Sequence, residues 1–163
     1  MENGNVQAPD LYADLWAAVE HAKAARSRDD LVEALIAHAR SAARAHSGDD
    51  RAGALISLSA TLRGAGRSSD ALDTTREARA LADDVRLTVM AMTCEVAILC
   101  DQGQDEEARR IGESALELLS TPYLLKALGR AWMQGFRATG LEDFRDRADE
   151  CFAQAEAGSA TAA

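Results

Sequence analysis

Three glycines stand at equal spacing along this chain: Gly66, Gly103 and Gly140 lie 37 residues apart. Recurrence at such a period marks stacked helical hairpins, where one unit cannot bury its apolar face alone and its neighbours complete the core. Other columns keep step. Ala71 aligns with Ala108 and Ala78 with Ala115, while Leu62, Leu99 and Phe136 each stand four residues before their glycine. One period earlier the glycine column falls on Asp29, with Ala34 beneath Ala71, which reads as a degenerate first copy.

Each copy reads as helix, turn, helix. A glycine closes the first helix, where a left-handed residue costs least. Polar residues then open the second: "RSSD" at 67–70, "QDEE" at 104–107 and "LEDF" at 141–144. Acidic groups in a first turn suit the positive end of the helix dipole. Asp30 with Glu33 forms a candidate capping box, and Thr121 before Pro122 has the pattern of an N-cap and first helical residue. The expected helices are 10–26, 29–46, 50–64, 69–82, 85–101, 105–120, 122–138 and 142–156. Leu55, Leu58 and Leu62 follow one helical face, as do Ile111, Ala115, Leu118 and Leu119, and Phe144, Ala148, Phe152 and Ala155. From Leu87 to Cys100 the chain is apolar almost all round, so that helix should be covered on several sides. The expected fold is all-α, with a repeat domain at 10–156, a flexible N-terminus at 1–9 and a flexible tail at 157–163.

Charge and composition exclude several function classes. A net charge of −9 argues against a nucleic-acid module, which needs a basic surface to offset phosphate. No apolar run approaches the ~20 residues of a membrane span, and "MENGNVQAPD" has neither the basic nor the apolar region of a secretory signal. The arginine- and alanine-rich composition suggests a bacterial cytoplasmic protein. Cys94, Cys100 and Cys151 are odd in number, show no zinc spacing, and read as reduced, buried thiols. Catalysis finds little footing. His21, His38 and His46 lack metal spacing, and "RGAGRSSD" lacks the strand and lysine of a phosphate-binding loop. No cofactor is expected.

The stretch "LISLSATLRGAGRSSDALDTTREARAL" resembles a tetratricopeptide repeat, the helical hairpin of roughly 34 residues. Leu62, Gly66, Ala71 and Ala78 meet its pattern, as do Leu99, Gly103, Ala108 and Ala115. The third copy keeps Phe136 and Gly140 but carries Arg145 and Phe152 in the alanine columns, and Glu95 stands where Leu58 and Trp132 stand. The resemblance implies a right-handed α-solenoid of about four hairpins. Its first helices would line a concave groove that holds a protein or peptide, without enzymatic activity.

On that implied geometry, Lys23, Arg26, Arg63, Arg130 and Arg137 would set a row of positive charge in the groove of an acidic protein. A cleft focuses such a field, and arginine forks pair with carboxylates, so an acidic peptide or helix is the expected ligand. The competing reading has these arginines neutralising acids on neighbouring second helices. The family's lysine and asparagine carboxylate grip is not carried over, because asparagine occurs only at Asn3 and Asn5. Trp132, Phe136, Phe144 and Phe152 gather in the last hairpin, either as a self-association edge that could form a homodimer or as the core of that hairpin. Tyr12 and Trp16 pose the same choice at the other end. The alternative functions are a small-molecule-sensing regulator and an accessory subunit of an enzyme complex.

Overall fold

The structure, a computed structural model, describes residues 28–160. These residues form α1 (Arg28–Ala45), α2 (Gly48–Gly64), α3 (Ser68–Leu81), α4 (Val85–Asp101), α5 (Asp105–Leu118), α6 (Pro122–Thr139) and α7 (Glu142–Ala160), with no strand among them. The expected helix at 10–26, with Tyr12, Trp16, His21, Lys23 and Arg26, lies outside the described residues. Two expectations need correction. Helix α1 already includes Arg28, so Asp30 sits inside the first turn rather than at a cap. Helix α7 runs on to Ala160, so residues 157–160 are helical rather than tail. That last turn has support: Ser159 Oγ donates to the Ala155 carbonyl at 2.8 Å, and Gly158 lies against the Pro122 ring.

The glycine column is a column of helix caps. Gly66, Gly103 and Gly140 have φ of 77°, 71° and 73°, the left-handed region in which a side chain is disfavoured. At the first two, the closing bonds are those of a Schellman motif. Gly66 N donates to Arg63 O and Arg67 N to Leu62 O; Gly103 N donates to Cys100 O and Gln104 N to Leu99 O. At the third, one bond from Gly140 N to Phe136 O closes the simpler left-handed cap. The apolar column four residues before each glycine therefore supplies the carbonyl of one closing bond in each copy: Leu62, Leu99 and Phe136. At the other kind of end, Thr121 Oγ1 accepts from Leu124 N, with Pro122 opening α6.

Each helix touches its neighbours in sequence; beyond these, α2 touches α4 and α4 touches α6, and no other described pair meets. Helix α4 thus has four neighbours. This accounts for its apolar circumference, with Val89, Val96, Ile98 and Leu99 at most 1% exposed. Ala71, Ala78, Ala108 and Ala115 are fully buried, as close packing of α3 and α5 requires. A buried polar seam joins α2 to α3, where Ser59 Oγ bonds Thr75 Oγ1 and donates to the Ala71 carbonyl.

The last pair departs from this pattern for a steric reason. In α7 the fully buried alanines are Ala148 and Ala155, three residues beyond the expected column, while Arg145 is exposed. Phe152 occupies the column of Ala115, and Gly129 occupies that of Met92. A Cβ on Gly129 would come within 2.9 Å of Phe152 Cε1, so bulk has moved from α6 to α7 without overfilling the contact. Trp132 is buried and tilted against Phe144, with ring centroids 5.1 Å apart. The Arg109 and Arg147 guanidiniums lie 5.1 and 4.8 Å from the Trp132 ring centre. Phe136 is half-buried beneath Arg145, at 5.8 Å.

Candidate functional site: the face of α2, α4 and α6

The three helices that touch one another at alternate positions share an open face. On α4 the accessible residues form one stripe, Arg86, Met90, Cys94, Ala97 and Asp101, spaced by three or four as one helical face demands. On α6 the matching stripe is Tyr123, Lys126, Arg130, Gln134 and Arg137. Helix α2 contributes mainly small residues, Gly53, Ser57, Ala60 and Gly64.

Charge is divided between the helices. No acidic residue occurs on α6, and on α4 there are only Glu95 and Asp101. By contrast α5 carries Asp105, Glu106, Glu107, Glu113 and Glu117, and α7 is more acidic still. Among the described residues, α5 and α7 thus carry more acidic side chains than α4 and α6, while α2 carries Asp49 and Asp50 in its first turn.

Of the expected basic row, the structure joins two members through an acid that the sequence reading did not single out. Arg63 Nε donates to Asp101 Oδ2 at 2.5 Å, and Arg130 Nη2 to Asp101 Oδ1 at 2.6 Å. One carboxylate therefore staples α2, α4 and α6 together. These arginines do neutralise an acid, but it stands on the adjacent first-type helix rather than on a second helix. Arg137 is exposed, and it has no ion pair among the described residues, a property shared by Lys126 and Arg86. Cys100, in the column of Arg63 and Arg137, is buried instead, with Gln134 Nε2 donating to its carbonyl.

The hydrogen bond from Arg63, reinforced by Arg130, holds the Asp101 carboxyl below its ordinary value of 3.8. A carboxyl whose folded value is depressed stabilises the fold above its unfolded value and loses that contribution as pH falls through the folded one. Asp101→Asn is therefore expected to destabilise the protein by about 1 kcal/mol at pH 7, a modest amount because the arginines are partly hydrated. In urea titrations its deficit against wild type should shrink as pH falls below 3.8. A deficit independent of pH would remove the staple's electrostatic role.

The same face carries an apolar cavity of about 570 Å³ towards the N-termini of α4 and α6. Ile56, Val89, Met90, Cys94, Leu119 and Tyr123 supply most of its wall, with Arg86, Thr93 and Thr121 the polar members. Met90 and Tyr123 are 50% and 79% exposed, so large apolar surface here meets water. The cysteines are not poised for chemistry: burial pushes Cys100 up to about 11 and raises Cys94 and Cys151.

A second charged cluster lies on the opposite side of α4. Glu95 is 1% exposed; Arg76 Nε donates to its Oε1 at 2.9 Å. Arg79 Nη1 lies 2.7 Å from Oε2, in an ion pair without a directed hydrogen bond. Both arginines belong to α3 and reach partly into water, so the cluster ties α3 to α4 through the core. The break in the Leu58–Glu95–Trp132 column was the sequence signal for it; the two partners were not legible there.

Trp132, Phe144 and Phe152 are drawn together between α6 and α7, whereas Phe136 stands apart beneath Arg145. No helix of the described residues is long and apolar enough to cross a membrane, and no group of His, Cys, Asp or Glu among them could hold a metal ion. No protein-family model, curated protein or solved structure matches the chain.

Proposed function

We propose that the chain is a right-handed α-solenoid of tetratricopeptide-like hairpins, serving as a non-enzymatic interaction module in the bacterial cytoplasm. Its α2, α4 and α6 line the concave surface that receives an acidic peptide or helix of a partner protein. Three features support the solenoid. Among the described residues, helix contacts are confined to sequence neighbours and to one set of alternate helices, as in a one-dimensional stack. The caps at Gly66, Gly103 and Gly140 repeat at the period of the hairpin. Fully buried alanines recur on the second helices.

The observation that carries the functional reading is the acid-free α6, whose Lys126 and Arg137 have no ion pair among the described residues of an acidic protein. Such a surface attracts carboxylates and speeds their encounter, and salt weakens the attraction. The test uses a labelled 15-residue amphipathic peptide of alternating glutamate and leucine blocks, beside its glutamine counterpart. The glutamate peptide should bind, and the Lys126→Glu, Arg137→Glu double variant should weaken it at least tenfold, about 1.4 kcal/mol or more. Equal binding of the two peptides to wild type would overturn the acidic-ligand reading.

A further inference from the structure

The cavity between α2, α4 and α6 has no role in holding a charged peptide, and its chemistry differs from the rest of the face. A volume of about 570 Å³ falls in the range of small-molecule sites, roughly 300–1,000 Å³. Its polar members are unequal. Thr93 Oγ1 already donates to the Val89 carbonyl, and Thr121 Oγ1 already accepts from Leu124 N as the cap of α6. The start of α4 is capped as well, since Asp84 Oδ1 accepts from Arg86 N. Backbone donors at both helix ends are therefore partly spent on their own caps. What remains is Arg86, a solvent-exposed residue of the wall with no ion pair among the described residues.

An apolar chamber whose wall includes one solvent-exposed arginine, without an ion pair among the described residues, matches a ligand with an apolar body and one anionic head. We propose that this cavity binds an amphiphilic carboxylic acid, its hydrocarbon part against Ile56, Val89, Met90 and Leu119 and its carboxylate on Arg86. Shape and charge both select this class. A neutral hydrocarbon leaves Arg86 unused, and a polyanion has no second cation in the cavity wall to meet. The inference does not rest on the partner-binding reading, because Lys126 and Arg137 take no part in the cavity.

Titration calorimetry of the full chain with hexanoate, octanoate and decanoate, and with the matching alcohols, tests it. Affinity should rise with chain length as more apolar surface is buried. Each acid should bind about tenfold more tightly than its alcohol. Arg86→Ala should bring the acid down to the level of the alcohol. Met90→Trp, a substitution at a half-exposed position that fills the chamber, should abolish binding of both while circular dichroism stays unchanged. The Lys126→Glu, Arg137→Glu variant should bind decanoate as wild type does, which separates failure of this site from failure of the peptide surface. Saturable binding that ignores acid versus alcohol, persists in Met90→Trp, or is absent at every chain length overturns the proposal. Should Met90→Trp fail to fold, the acid-to-alcohol ratio in Arg86→Ala decides alone.

Discussion

Replacing both Arg76 and Arg79 with alanine is expected to destabilise the protein by about 3–5 kcal/mol, because it strands the Glu95 carboxylate in the core. Glu95 is 1% exposed, and its ion-pair partners among the described residues are these two side chains, both on α3. Removing the acid instead has a different consequence. In Glu95→Leu the two arginines, 47% and 37% exposed, can turn to water, and leucine already fills the equivalent position at Leu58. That variant should be neutral or more stable than wild type, by up to about 1–4 kcal/mol. Urea unfolding with an unchanged slope measures both. If the double arginine variant unfolds at the wild-type midpoint, the ion pair does not hold α3 against α4.

Trp132→Ala should cost a similar amount, about 3–5 kcal/mol for deleting a buried large aromatic. Its ring is 8% exposed and lies against Phe144, and guanidiniums from both α5 and α7 stack on it. Those cation–π contacts add roughly 0.5–1 kcal/mol each. Tyr123→Ala, at 79% exposure in the same helix, should shift stability by no more than about 0.5 kcal/mol. If the stack is one-dimensional, the damage should be local: hydrogen exchange should quicken in α6 and α7 while α2 and α3 keep their protection. A Trp132→Ala protein as stable as Tyr123→Ala would mean that the ring is not part of the core.

How much of this was legible beforehand differs by element. The turn glycines could be read because a left-handed cap is a local requirement, met by one residue type with few alternatives. The same holds for Thr121–Pro122 and for the six helices whose ends fall within two residues of expectation. The capping box at Asp30 failed because a helix start shifts easily when the residue before it also tolerates the helical conformation. The alanine column failed in α7 because packing conserves volume between partners rather than residue type in a column: Phe152 is admitted by Gly129 on another helix. At the candidate site, Arg63 and Arg130 were visible as charges, but Asp101, which joins them, lies 38 residues from one and 29 from the other. No local rule links such distances.

The sequence by itself determined that the described residues are helical, where six of their helices stop, and which faces are apolar, because dihedral preference and periodicity act within a few residues. Only the tertiary structure decided which charges are spent and which remain available. Ion pairs and cavities arise where separate helices meet, and their energies depend on burial, which no single helix possesses alone. So Arg63 and Arg130 share Asp101, Arg76 and Arg79 answer Glu95, and Arg86, Lys126 and Arg137 are left facing outward.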